Sequence, residues 1–359
     1  MAKPKRPKPA KTKRVKPKAA KSKRAQSKTA KSKTAKSKPA QPTKFARGRG
    51  KPSRAPKRAF DRRTDSAYRS DWVAPLWNDD VLLGAHVSTA GGMHHAPERA
   101  RAIGATAMQV FTKMANRWAE RVCELVECEA FRGALAETNV RGTIAHDSYL
   151  INLASPDETL RRRSIESFVA ELRRCEALGL AYLVSHPGNY IDVRASGTHR
   201  NADAITEALE RVPGSSVVCL ETTAGSGTSL GASFEELAAL VELVPEPQRA
   251  RVGVCVDTCH VYSAGYDLVN AYDDVWQRFA EVLDWSRLRV VHLNDSKTPF
   301  GSHRDRHELI AEGSLGELPF RRIMTDERFA TIPKVIETPK LGDATATDAR
   351  MLARLRGYR

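Results

Sequence analysis

The first 60 residues of this 359-residue chain contain no aspartate or glutamate. The same segment holds 24 of the 59 lysines and arginines, which leaves 35 basic residues against 42 acidic ones over residues 61–359. The formal charge of that longer part is therefore −7, although the whole chain carries +17. The basic character of the protein belongs to one segment, and the remainder is mildly acidic.

Long apolar runs and paired cysteines are also missing. No stretch approaches eighteen consecutive apolar residues, and the N-terminus lacks the apolar core of a secretion signal, so neither a membrane span nor export is expected. The six cysteines form no Cys-x-x-Cys pair and mostly lie in apolar runs, which indicates buried thiols in a reducing compartment. We expect a soluble intracellular monomer, in the cytoplasm or nucleoid of a bacterium or in the nucleus or mitochondrion of a eukaryote.

Residues 1–58 consist mainly of Lys, Ala, Pro, Ser and Thr, with near-repeats around Lys31, Lys33, Lys36 and Lys38. Such a segment has too little apolar surface to offset its ordering entropy, so we expect a disordered tail. Its charge density suits the phosphate backbone of DNA, which it would contact without regard to sequence. A solubilising or targeting role, as a nuclear localisation signal or a transit peptide, is the alternative. Residues 59–80 are a linker of uncertain structure.

From residue 81 the sequence alternates between short apolar runs and helical patterns, as repeated βα units do. Eight candidate strands follow one another at 82–87, 107–111, 142–145, 181–185, 217–220, 252–256, 290–293 and 334–336. Eight parallel strands with intervening helices in under 300 residues predict an α/β fold, a (β/α)8 TIM barrel over residues 81–359.

One helix is clear between the third and fourth strands. Ser155 is its predicted N-cap, Pro156, Asp157 and Glu158 suit its first turn, and Gly179 is expected to end it. Residues at helical spacing predict the face that packs on the sheet: Leu160, Phe168, Leu172 and Cys175.

Polar residues follow the later strands directly, and the carboxyl ends of barrel strands converge on one face. A single histidine at a strand end is more often structural than a ligand. Here, however, five of the ten histidines stand at strand ends or in the adjoining loop beside four carboxylates, whose burial without cations would be costly. The set is His146, His186, Glu221, Asp257, His260, His292, Asp305, His307 and Glu337.

Nine such residues are too many for one tetrahedral zinc ion and suit two or three ions. Their mixture of nitrogen and oxygen donors favours zinc or manganese over magnesium. Divalent ions over a barrel mouth suggest hydrolysis of a phosphate ester, because one ion lowers the pKa of water to give hydroxide while others hold the phosphate and the leaving oxygen. The ions also supply the positive charge that residues 61–359, with their formal charge of −7, need in order to bind a phosphodiester.

Several longer segments closely resemble the endonuclease IV family of apurinic/apyrimidinic endonucleases, in order from about residue 82 to 339. They are Gly84-Ala85-His86-Val87-Ser88, Phe111-Thr112-Lys113, His146-Asp147-Ser148-Tyr149-Leu150-Ile151-Asn152-Leu153, His186-Pro187-Gly188, Glu221-Thr222-Thr223-Ala224-Gly225, Val254-Cys255-Val256-Asp257-Thr258-Cys259-His260, His292-Leu293-Asn294-Asp295 and Asp305-Arg306-His307.

The resemblance implies a barrel that holds three zinc ions, with manganese as an alternative at one site. By this resemblance His146 and His186 bind one zinc, and Glu221 bridges. Asp257 and His292 bind the second zinc together with the shared Glu337. The remaining three residues bind the third zinc: His260, Asp305 and His307.

The resemblance also implies cleavage of the phosphodiester 5′ to abasic sites in duplex DNA, which leaves a 3′-hydroxyl, and trimming of blocked 3′ ends, as in base excision repair. The duplex is bent and the sugar is turned into the pocket. Arg117, Tyr149 and Leu150 match residues that enter the DNA; read alone, they are a surface arginine and two packing residues. The basic tail, Met114-Ala115 and residues 61–80 depart from the pattern, so the resemblance extends to the chemistry but not to DNA affinity and localisation.

Two alternatives stand beside this interpretation. A metal-dependent sugar isomerase or epimerase on the same barrel would need fewer ligands, so the third group argues against it. An architectural DNA-binding protein that acts through its tail would have little reason to keep nine ligand types at barrel ends.

Overall fold

The computed structural model describes residues 80–359 of the chain. The predicted tail (1–58), with its lysines, and all of the predicted linker except Asp80 lie outside the described residues. Within residues 80–359, no helix combines the length and apolar character needed to cross a membrane.

Eight parallel strands close into a barrel, in the order β1-β2-β3-β4-β5-β6-β7-β10, with β10 paired to β1. All eight predicted strands are confirmed, and their ends differ from the expected ones by no more than two residues. Within residues 80–359 the strands are β1 (Leu83–His86), β2 (Ala107–Phe111), β3 (Gly142–His146), β4 (Tyr182–Ser185), β5 (Val217–Glu221), β6 (Val252–Asp257), β7 (Leu288–His292), β8 (Asp295–Ser296), β9 (His307–Glu308) and β10 (Lys334–Ile336).

Helices surround the barrel: α1 to α5 pack on one another in sequence order, α5 then packs on α8, α9 packs on α10, and α10 returns to α1. They are α1 (His95–Ala102), α2 (Leu125–Ala136), α3 (Glu158–Leu178), α4 (Arg194–Arg211), α5 (Phe234–Leu243), α6 (Glu246–Arg249), α7 (Thr258–Ala264), α8 (Tyr272–Leu283), α9 (Leu318–Thr325) and α10 (Ala344–Arg356). The predicted (β/α)8 TIM barrel is therefore confirmed.

Helix α3 is capped by Asp157, so the prediction of Ser155 as its N-cap is wrong. The Asp157 carboxylate accepts a hydrogen bond from the backbone N–H of Leu160 at 2.9 Å. A charged carboxylate is a stronger acceptor at the positive end of a helix than a hydroxyl. Ser155 instead fixes the preceding turn, because its Oγ accepts from the N–H of Asp157 at 3.2 Å. Gly179 ends the helix as expected, with φ of 75°.

The face of α3 that packs on the barrel is close to the predicted one. Phe168, Leu172 and Cys175 are fully buried, whereas Leu160 is only half-buried. They belong to the large apolar layer between the helices and the barrel, which also holds Trp276. A second, smaller apolar cluster fills the interior of the barrel: Ala107, Ile144, Val184, Cys219, Cys255, Val290 and Val335.

A two-stranded antiparallel ribbon, β8 with β9, was not predicted. Asp295 pairs with Glu308 and Ser296 with His307. The loop between the two strands is closed further by the N–H of Lys297, which donates to the carbonyl of Arg306 at 2.8 Å. The ribbon turns the segment after β7 back on itself, and this return brings residues 305–307 over the mouth of the barrel.

Candidate metal centre

Strand periodicity explains why the candidate ligands meet inside the barrel. Side chains two residues apart on a strand point to the same face. The interior apolar residues Ile144, Cys219, Cys255, Val290 and Val335 each stand two positions before a polar residue. The next inward positions therefore form one polar layer above the apolar cluster: His146, Glu221, Asp257, His292 and Glu337.

Glu221 lies at the centre of this layer, with its side chain 1% exposed. Its carboxylate oxygens are 3.2 Å from Nε2 of His146, 2.9 Å from Nε2 of His186 and 2.9 Å from Nδ1 of His292. Nδ1 of His260 is 3.4 Å away. Burial alone would raise the pKa of Glu221, but the surrounding imidazoles hold it well below its usual value. One carboxylate thus contacts four histidines.

The same pairing that lowers the pKa of Glu221 raises the pKa of the His146 imidazole. Burial alone would lower its pKa, but Glu221, Glu337 and Asp147 outweigh burial and raise it to about 10. Nδ1 of His146 is 2.9 Å from the backbone carbonyl of Asp147, which accepts its proton, so Nε2 is the nitrogen that faces Glu221. A histidine that donates through one nitrogen to a carbonyl and presents the other is the usual arrangement of a metal ligand.

A second group shares Glu221 with the first. Glu221, Asp257, His292 and Glu337 each offer a ligand atom, and these atoms all lie within 4.8 Å of one another. Nδ1 of His292 is 3.3 Å from Oε2 of Glu337 and 3.9 Å from Oδ2 of Asp257. Glu221 therefore lies between two potential ion positions, where a carboxylate can bridge.

The third group consists of His260, Asp305 and His307. Nε2 of His260 is 3.3 Å from Oδ2 of Asp305, and Nε2 of His307 is 3.1 Å from Oδ1. Burial alone would lower the pKa of His307, but Asp257 and Asp305 raise it to about 9. His307 reaches this place only through the β8–β9 ribbon.

Orphaned nitrogens test whether these groups fit metal ions. Among residues 80–359, Nε2 of His260 and Nε2 of His307 are buried and make no hydrogen bond of acceptable geometry. Nδ1 of His260 already contacts the carbonyl of Thr222 at 2.8 Å, which directs the lone pair of Nε2 into the third group. Buried polar atoms are normally satisfied, so two buried imidazole nitrogens that meet one carboxylate without hydrogen-bond geometry leave a place that fits a cation. The residues fit divalent ions with nitrogen and oxygen ligands.

The polar layer has supporting residues that were not predicted from the sequence. Asn294 donates through Nδ2 to Oδ2 of Asp257 at 2.6 Å, and its Oδ1 accepts from the N–H of Glu337 at 2.8 Å. Gln109, on β2, contacts Glu337 and His292. Asn294 belongs to the His292-Leu293-Asn294-Asp295 motif, from which no supporting role was predicted for it. A signal for Gln109 was present, because it is a lone polar residue inside an otherwise apolar strand.

The residues predicted to enter DNA lie at the rim. Tyr149 is 71% exposed, and its ring packs edge-on against Phe111 with centroids 5.2 Å apart. Partial burial and the nearby carboxylates raise the pKa of Tyr149 to about 12, so its hydroxyl is a neutral donor. Tyr149 lines a cavity of about 910 Å³ together with Asn116. Arg117, the next residue, is exposed, and Leu150 is half-buried.

The loop that carries Arg117 is anchored to α3 by buried charges. Nζ of Lys113 contacts Oε1 of Glu120 at 2.6 Å and Oγ of Ser167 at 2.8 Å. Nη1 of Arg174 donates to Oε2 of Glu120 at 2.9 Å. Lys113 and Glu120, which flank Arg117 in the loop, are thus both bonded to helix α3, and these contacts fix the position of the loop.

Comparisons with known proteins agree with this geometry. Residues 97–355 match the family described as the xylose isomerase-like TIM barrel. A protein named "Probable endonuclease 4" from Chloroflexus aggregans is 44% identical over 278 residues, which cover 76% of this chain and 96% of that protein. The chain belongs to the endonuclease IV family. The expected resemblance is thereby confirmed.

Comparison with solved structures also matches this chain to an endonuclease IV. The crystal structure of endonuclease IV from Thermus thermophilus matches with a TM-score of 0.69 and 33% identity, over 77% of this chain and 99% of that chain. A 3-keto-D-glucoside 4-epimerase from E. coli matches with a TM-score of 0.56 and 16% identity. That second likeness shows the shared barrel fold alone.

Proposed function

We propose that this protein is a zinc-dependent DNA repair endonuclease that hydrolyses the phosphodiester 5′ to abasic sites in duplex DNA and leaves a 3′-hydroxyl. It also trims blocked 3′ ends and acts in base excision repair. The observation that carries the proposal is the convergence of nine nitrogen and oxygen ligands into three adjoining groups at one barrel mouth. The endonuclease names of its relatives support the same activity.

Each group of residues would hold one ion. His146 and His186 would hold the first ion together with Glu221, whose carboxylate also belongs to the second group. Asp257, His292 and Glu337 would complete the second site. His260, Asp305 and His307 would hold the third ion. The donor set favours zinc, with manganese as an alternative at one site. Bound divalent ions lower the pKa of water and offset negative charge on phosphate oxygens.

The chain's own residues position the ions and the substrate. Glu221 orients His146, His186 and His292 toward the two ion positions beside it, and Glu337 closes the second site from β10. Tyr149 offers an exposed ring and a neutral hydroxyl donor at the rim. Together with Arg117 and Leu150 it fills the space in the duplex from which the sugar is turned out. Turning the sugar out costs least where no base is paired.

The tail adds affinity without selecting a sequence. Residues 1–58 carry 24 basic charges, including Lys31, Lys33, Lys36 and Lys38, on a chain whose remaining part is acidic. Phosphate contacts by such a segment release counterions and hold the enzyme near DNA. The protein then acts as an intracellular monomer that scans duplex DNA with its tail and recognises the lesion with its barrel.

The chemistry of the cut ends tests this proposal. A duplex with one abasic site is incubated with the wild type, with Asp305→Asn and with the control Asp203→Asn, which changes an exposed residue of α4. We expect the wild type and the control to leave a 3′ end that a DNA polymerase extends directly, and Asp305→Asn to cut far more slowly. A 3′ end that the polymerase cannot extend, or equal rates for all three proteins, would contradict the proposal.

A further inference from the structure

Gln109 carries a fully buried amide beside the polar layer, and the activity described above assigns it no role. It lies in the middle of β2, beside His86 of β1 in the barrel register. Its Nε2 is 2.6 Å from Oε1 of Glu337 and 3.0 Å from Nδ1 of His86. Its Oε1 is 2.8 Å from Nε2 of His292. The amide therefore connects two candidate ligands of the second ion.

The chemistry of the neighbours fixes the orientation of this amide. An ionised carboxylate can only accept hydrogen bonds, so the NH₂ group of Gln109 must face Glu337. Its second hydrogen points to Nδ1 of His86, which accepts it. The carbonyl oxygen of the amide then faces His292, and a carbonyl can only accept. Nε2 of His292 must therefore carry a proton.

The proton on Nε2 decides which nitrogen of His292 binds metal. A neutral imidazole protonated at Nε2 has its lone pair on Nδ1. Nδ1 of His292 faces the second group, at 2.9 Å from Oε1 of Glu221 and 3.3 Å from Oε2 of Glu337. The same amide holds Oε1 of Glu337, which leaves Oε2 turned toward His292. Gln109 therefore directs Nδ1 of His292 and Oε2 of Glu337 toward the same place in the second group.

We propose that Gln109 is a positioning residue of the second metal site, which fixes the tautomer of His292 and the rotation of the Glu337 carboxylate. This inference rests on the proposed metal centre but not on its reaction with DNA. The inference also gives His292 a different metal-binding nitrogen from that of His146 and His260. In those two residues Nδ1 faces a backbone carbonyl and Nε2 faces an ion position. His292 binds through Nδ1, and those two histidines bind through Nε2.

The first test needs no variant. Long-range proton–nitrogen NMR spectra of the zinc-loaded wild type, with histidines labelled with ¹⁵N, report which ring nitrogen is protonated and which is bound to metal. We expect His292 to show a protonated Nε2 and a metal-bound Nδ1. A metal-bound Nε2 in His292 would overturn the inference whatever the variants show.

The second test measures zinc affinity by competition with a chromophoric chelator. Gln109→Met keeps a similar volume and removes all three hydrogen bonds, and Gln277→Met is the control, since Gln277 is exposed on α8 and donates a hydrogen bond to Glu281. Loss of an outer partner of a metal ligand typically costs about 10- to 100-fold in metal affinity. We expect that loss for one zinc in Gln109→Met, with the other ions held as in the wild type. Unchanged affinity for every zinc would overturn the inference.

These readouts keep the inference separate from the proposed function. Zinc affinity and the His292 tautomer are measured without DNA. If both behave as expected but the wild type leaves abasic DNA intact, the proposed reaction fails and the role of Gln109 stands. If the wild type binds no zinc, both are overturned. A thermal unfolding curve of the zinc-free variant that matches the wild type shows that the loss of zinc affinity is not a loss of folding.

Discussion

The carboxylate of Glu221 allows a quantitative prediction for the variant Glu221→Gln. The substitution keeps the shape of the side chain but removes its charge from a position with 1% exposure and four imidazoles within 3.4 Å. Removing one member of a buried charged pair costs about 3–5 kcal/mol, because the partner is left uncompensated. At roughly 2 °C per kcal/mol for a domain of this size, the zinc-free variant should unfold about 6–10 °C below the zinc-free wild type.

Glu221→Gln should lower metal affinity by a larger factor than the substitution of a residue that only hydrogen-bonds to a ligand. Losing an outer partner of a ligand costs about 10- to 100-fold in affinity, so loss of the carboxylate that we propose as the bridge should cost at least that much at the two proposed sites. Glu207→Gln is the control, since Glu207 pairs with Arg162 and Arg211 on the helix surface, where ion pairs contribute about 1 kcal/mol or less. Calorimetry, zinc analysis and cleavage assays are compared. An unfolding temperature, zinc content and cleavage rate equal to those of the wild type would refute the bridging role.

Three further predictions concern other parts of the chain. Removal of residues 1–58 should weaken DNA binding and its dependence on salt, as filter binding measures, but leave turnover at saturating substrate unchanged; a lower maximal rate would count against the tether. Burial lowers the pKa of Lys334 to about 8 from 10.5, so the folded state holds fewer protons than the unfolded state between these values. Relative to Lys334→Met, the wild type should therefore gain about 3 kcal/mol of unfolding free energy as pH rises from 8 to 10.5; the same pH dependence of the unfolding free energy in both proteins, measured with urea, would disprove this. Arg174→Met leaves the buried Glu171 carboxylate without its partner at 3.0 Å and should lower stability by about 3–5 kcal/mol, whereas exposed Arg173→Met should change it by less than about 1 kcal/mol; similar melting temperatures for the two variants would contradict this.

The barrel and the convergence of its polar residues could be predicted because both follow from short-range patterns. A β-branched run such as Val252–Asp257 identifies a strand by itself, and the polar residue at its end identifies the open face. Alternation then places Asp257 two positions after the interior Cys255. These signals need only the local sequence and the rule that parallel strands in a barrel end on one face. That each of these residues binds metal stays a prediction.

The features that were wrongly predicted or missed depend on contacts between residues that are not neighbours in the sequence or on the exact geometry of a turn. The choice of Asp157 over Ser155 as cap depends on where the turn after β3 places each side chain. The β8–β9 ribbon pairs residues more than ten positions apart that show no extended run. Gln109 lies more than 200 positions from Glu337 along the chain. No periodicity in one strand shows which buried amide will meet which carboxylate.

Cleavage of a duplex with one abasic site, before and after removal of metal by a chelator, tests the central claim most directly. The account predicts a single cut 5′ to the abasic site, which disappears after chelation and returns when zinc is added. The same duplex with an intact base should stay uncut. Absence of cleavage by the folded, zinc-loaded protein, or cleavage that chelation leaves unchanged, would contradict the account.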